Sequence, residues 1–115
     1  MKLKKTIAGI ALLTLFPLQS FAAMNGNEVL NACDRKDTKG MCIAYISGIF
    51  EGMVMQDVFL EKTNVTTQSY LCVPSGVVNS QIVDVTLNFI RSNSDIRHYE
   101  VAPLVLLAVR EKFPC

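Results

Sequence analysis

Four cysteines, Cys33, Cys42, Cys72 and Cys115, constrain this chain more than any other feature, because the last of them is also its last residue. Chain ends fray unless something ties them down. Whether the cysteines are bridges, metal ligands or nucleophiles depends on the compartment, and the N-terminus speaks to that. It opens with MKLKK and runs directly into the uncharged TIAGIALLTLFPLQSFA. Lysines, an apolar block and the small residues Ser20, Ala22 and Ala23 form the three-part pattern of a secretory signal peptide, with cleavage predicted after Ala22. Pro17 breaks the apolar run, which is short for a membrane span of ~20 residues. The expected division is a signal peptide over 1–22 and one small exported domain over 23–115.

In an exported chain, four cysteines read as two disulfides. A domain of 93 residues buries only about two-thirds of its unfolded surface, so covalent staples matter to it. Zinc is disfavoured because there is no CxxC pair and the single histidine, His98, is far from the cysteines in sequence. Nearest-neighbour pairing would join Cys33 to Cys42 in a ten-residue ring and Cys72 to Cys115 in a ring of 44, one of three connectivities open to four cysteines. Chain entropy assigns about 2.7 kcal/mol to the short ring and about 4 kcal/mol to the long one. Both are large against a folding stability of about 5–15 kcal/mol. Loss of Lys2, Lys4 and Lys5 with the signal leaves eight basic against ten acidic side chains, a net charge of −2. That balance argues against nucleic acid as a partner.

Apolar spacing predicts an all-α fold, a small bundle of about four helices stapled by two disulfides. NGNEVLNACD makes a short first helix, capped by Asn25 or Asn27, with Val29, Leu30 and Cys33 on one face. RKDTKG is a charged turn. MCIAYISGIFEGMVMQDVFLEK carries the strongest signal, with Ile43, Ile46, Phe50, Met53, Val54 and Val58 at three- and four-residue steps. Glu51, Gln56 and Asp57 interrupt a membrane-spanning reading, and Glu51, Asp57 and Glu61 are expected on a solvated face. TNVTTQSYLCVPSG is a loop, with Pro74 and Gly76 marking a turn. NSQIVDVTLNFIRSN resumes helical spacing, capped by Asn79 or Ser80, although its Val and Ile content would also suit a strand. The last helix starts near Tyr99 to Ala102, because Pro103 is tolerated only in a first turn. Asp95 to His98 form a separate turn before it, and Leu104, Val105, Ala108 and Val109 face inward.

No catalytic constellation, metal site or cofactor motif emerges. His98 is the only side chain with an unperturbed pKa near 6.5, and no nucleophile motif accompanies it. Gly48 and Gly52 sit four apart in the main helix, where each glycine costs ~1 kcal/mol against alanine. That cost suggests close approach of another helix, within the domain or across a dimer. The polar segment IRSNSDIRHYE combines hydrogen-bonding groups with an aromatic, and composition allows equally a binding loop or a solvated connector.

The stretch from Cys42 through IAYISGIFEG, the segment YLCVPSGVVNSQIVDV and the ending LAVREKFPC together resemble the Rap/Tai family of immunity proteins. The resemblance runs from about Cys33 to Cys115. It implies a helical, disulfide-linked, commonly dimeric periplasmic protein that plugs the active-site cleft of a peptidoglycan amidase delivered by type VI secretion. On that reading Asn93, Ser94, Asp95, Arg97 and His98 contact the amidase, and Gly48 and Gly52 mark the candidate seam of a homodimer. The chain departs from the family pattern at Ala44, at Asn93-Ser94, at Glu100 and at Pro103, mostly in the candidate loop, where partner choice would be set. The alternative is an envelope adaptor or assembly protein built on the same scaffold.

Overall fold

The computed structural model describes residues 23–115; the predicted signal peptide lies outside the described residues. The first helix, α1 (Gly26–Asp34), begins where the sequence marks it. Asn25 is extended, its side-chain oxygen accepts from the Glu28 N–H at 2.9 Å, and the Glu28 carboxylate accepts from the Asn25 N–H at 3.0 Å. This reciprocal capping box satisfies two N–H groups that a helix start leaves without partners. Beyond the charged turn, α2 (Lys39–Lys62) starts two residues earlier than the apolar spacing suggests. Thr38 donates its hydroxyl to the Ala32 carbonyl at 2.7 Å, folding the turn back on α1.

The third helix, α3 (Asn79–Ser92), is a helix despite its β-branched residues, because Ile82, Val83, Thr86, Leu87 and Ile90 bury one continuous face. Its cap is neither Asn79 nor Ser80. The Gln81 side chain accepts from the Val78 N–H at 3.0 Å, while Asn79 donates to Glu51 on α2 at 2.6 Å. A single 3₁₀ turn (Ser94–Ile96) separates α3 from α4 (Val101–Lys112), which holds Pro103 in its first turn. Among the described residues there is no strand, only an isolated antiparallel bridge between Asn25 and Glu100.

The helices form a bundle with α3 packed most extensively on α4, and α2 packed against all three others. Val29, Ile46, Ile82, Ile90, Leu104 and Val105 are fully buried at its centre. Each such side chain contributes about 1.5–3 kcal/mol on leaving water. Both disulfides are present, Cys33–Cys42 and Cys72–Cys115, with Cα separations of 5.3 and 5.2 Å. Cys115 thus ties the end of α4 to the connector that precedes α3.

Two expectations about α2 are corrected. Asp57 is buried, only 7% exposed, instead of lying on a solvated face. Its carboxylate accepts from the Ser69 hydroxyl and from the Tyr70 N–H at 3.0 Å, so it holds the 63–78 connector rather than facing water. Ile43, Val54 and Val58 are not core residues and remain substantially exposed. The helix is apolar on most of its circumference, and periodicity alone does not single out the buried side, which carries Cys42, Ile46 and Phe50. A Cβ at Gly48 or Gly52 would meet nothing within 4 Å, so no helix of the same domain approaches there. This open stripe continues to Met55 and Phe59, 70% and 64% exposed.

Candidate partner-binding site

The connector between α3 and α4, residues 93–100, is held at both ends by groups that helix termini leave unpaired. On the α3 side, the Arg97 guanidinium donates from Nε to the Ile90 carbonyl at 3.0 Å and from Nη2 to the Arg91 carbonyl. The Asn93 amide donates to the Phe89 carbonyl at 2.7 Å. These are last-turn carbonyls, of which that of Ile90 also accepts from the Asn93 N–H at 3.3 Å, and a cation is favoured at that negative end of the helix dipole.

On the α1 side the contacts are made by main chain. The N–H of Gly26 donates to the Tyr99 carbonyl and that of Asn27 to the Arg97 carbonyl, each at 3.0 Å. The Val101 N–H donates in return to the Met24 carbonyl at 2.9 Å. The starts of α1 and α4 therefore satisfy each other through the chain between them. Within the loop, Ile96 donates its N–H to the Asn93 carbonyl and Tyr99 to that of Ile96, while Ile96 packs its side chain on the core.

This anchoring divides the five expected contact residues into two sets. Asn93 and Arg97 are half-buried, and the polar groups described above are committed to capping α3. Ser94, Asp95 and His98 are exposed, with no side-chain hydrogen bond or ion pair among the described residues. Tyr99, 47% exposed, stands beside His98 with ring centroids 4.5 Å apart and the ring planes inclined by 64° in a T-shaped pair. Spacing placed Tyr99 in the polar segment but not among the contact residues. The outward surface offers a hydroxyl, a carboxylate, an imidazole and a phenol on a backbone that is fixed from both sides.

Elsewhere, the 63–78 connector is anchored by Asp57 and by Tyr70, whose hydroxyl donates to the Met53 carbonyl at 2.8 Å. Burial, and secondarily the Asp57 carboxylate, raise the Tyr70 pKa above its ordinary value. An open groove of about 450 Å³ beside the Cys33–Cys42 turn is lined by charges of both signs, including Lys36, Lys39, Asp84 and Arg91. Among the described residues, no group of three His, Cys, Asp or Glu side chains is placed to hold a metal.

The domain is thus all-α, closed by two disulfides, with a polar loop pinned between α3 and α4. Residues 25–115 match the family of Rap1a immunity proteins over nearly all of the described chain, and the protein belongs to that family. Membership implies binding of a cognate effector protein. No match was found among curated proteins or among solved structures.

Proposed function

We propose that this is a periplasmic immunity protein that blocks the active-site cleft of a type VI secreted peptidoglycan amidase, protecting the producing cell and its kin. The observation that carries this reading is the 93–100 loop of a member of the immunity family: pinned to α1 and α3, it exposes Ser94, Asp95 and His98. A rigid loop loses little conformational entropy on entering a cleft, which favours tight inhibition. Two disulfides agree with an oxidising compartment such as the periplasm, and with export by the leader over 1–22. In this proposal Ser94, Asp95 and His98 touch the amidase, while Asn93 and Arg97 hold the loop in shape.

A second copy of the chain is the proposed occupant of the open α2 stripe at Gly48 and Gly52, where small residues admit a close helix and Met55 and Phe59 extend the apolar surface. Sedimentation should show a dimer that Gly48→Glu/Gly52→Glu converts to a folded monomer; a monomeric wild type would remove the seam.

The deciding experiment is peptidoglycan hydrolysis by candidate amidases with and without the oxidised, signal-free protein. Stoichiometric inhibition of one amidase is expected. Asp95→Ala/His98→Ala should then weaken inhibition by about a hundredfold while leaving the thermal transition in place. Inhibition that is unchanged in this variant would remove the loop from the interface. A wild type that inhibits none of the amidases would favour the envelope-adaptor alternative.

A further inference from the structure

We infer that Gly26, in the first turn of α1, is a positioning residue for the recognition loop; the inference rests on the immunity reading above. Nothing in its backbone demands glycine, since among the described glycines only Gly76 has a positive φ. The demand is for space. A Cβ at residue 26 would lie 2.8 Å from the Arg97 carbonyl oxygen, 3.1 Å from the Arg97 Cα and 2.9 Å from Leu104 Cδ1. Leu104 presents the end of a side chain, but Arg97 presents the loop's own backbone, which has to move if residue 26 grows.

That backbone point is also where the loop is fixed. The Arg97 carbonyl accepts from the Asn27 N–H and the Tyr99 carbonyl from the Gly26 N–H, while the Arg97 side chain reaches the opposite way to the α3 carbonyls. Residue 97 is therefore held between two helices, and the missing Cβ of Gly26 sets how closely it seats on α1. Pushing it outward carries the neighbouring Ser94, Asp95 and His98 away from their positions over the scaffold. A site whose supporting contacts are displaced by about 1 Å recognises its target poorly even when every contact residue is present. The residue that sets the geometry of the inhibitory surface thus lies some 70 positions earlier in the chain, on another helix.

The test compares wild type with Gly26→Ala, both oxidised and signal-free, for inhibition of the partner amidase and for hydrogen exchange at the amides of residues 26 and 27. Alanine is the better helix former, so α1 itself is not weakened by the change. The expected result is inhibition weaker by about tenfold or more, faster exchange at those two amides, and unchanged helix content and disulfides. Adding Leu104→Val removes the Leu104 Cδ atoms and leaves the Arg97 carbonyl where it is, so the double variant should remain a poor inhibitor. Restored inhibition in the double variant would locate the clash in the core and overturn the proposal. So would wild-type inhibition by Gly26→Ala. Should Gly26→Ala not fold, Asn27→Pro removes the donor to the Arg97 carbonyl at a first-turn position where proline is tolerated. The same weakening is expected from it, and full inhibition would overturn the proposal. Should wild type inhibit no amidase, the immunity reading fails by itself. Exchange then decides the coupling of α1 to the loop: protection unchanged by Gly26→Ala overturns it, and lost protection upholds it.

Discussion

Residues 63–78 and residues 93–100 are both irregular and both tied to the helices at several points, but they are tied in different ways. Past the main-chain bonds that residues 63–66 make to the last turn of α2, the longer connector is anchored by side chains: Asp57 reaches it from α2, Tyr70 reaches back to Met53, and Cys72 is bonded to Cys115. The shorter one is anchored on α1 entirely by its own main chain, and on α3 by Asn93 and Arg97. Anchoring through side chains uses up the groups a binding surface would need. Anchoring through main chain leaves Ser94, Asp95 and His98 free while fixing where they point. On the proposed function, stability and recognition fall to different connectors of one small bundle.

The largest test of that assignment is removal of the long bridge. Cys72→Ala/Cys115→Ala should lower unfolding free energy by about 4 kcal/mol in urea titration, while inhibition by the molecules that remain folded stays near wild type. A loss of inhibition larger than the unfolded fraction explains would show that the bridge also shapes the recognition loop. Next in size is Asp57→Ala, which strips the acceptor from the part-buried Tyr70 N–H and Ser69 hydroxyl and should cost about 2 kcal/mol. Here too the thermal transition should fall without a change in inhibition constant, and a parallel fall in both would merge the two connectors into one unit. The smallest effect concerns pH. The folded state holds the Tyr70 proton more tightly than the unfolded chain, where the phenol titrates near ~10. Its contribution to stability is therefore full below that value and declines as pH rises through the higher folded pKa. Tyr70→Phe should flatten the alkaline side of the melting-temperature profile, and a slope identical to wild type would exclude Tyr70 as its source.

The helices and their order could be read from the chain because local rules carry them, whereas cysteine count and export pointed to two disulfides but left their pairing one of three. The Asn25–Glu28 capping box, the three- and four-residue apolar steps and the proline limit at Pro103 all act within a turn or two. What was not legible depends on parts distant in sequence. Nothing near Asp57 announces that Ser69 and Tyr70 will fold back onto it, so a carboxylate among apolar residues reads as solvated. Arg97 reads as a surface cation until the end of α3 is placed beneath it. The outward face of α2 was hidden for the opposite reason: with apolar residues nearly all around, periodicity has no preferred side to report. Gly26 gave no signal at all, because its constraint is the distance to a loop that only the fold brings near.

The bond between Cys72 and Cys115 makes residues 72–115 a covalent circle, with the 93–100 loop inside its circumference. Exposed loop tips are where proteases cut. A single cut between Ser94 and His98 turns that circle into two strands still joined through sulfur, so no fragment departs and the mass changes only by the water added. Only a reductant parts the pieces. Damage at the most accessible point of the protein is thus converted from loss of a segment into a nick within a molecule that stays together.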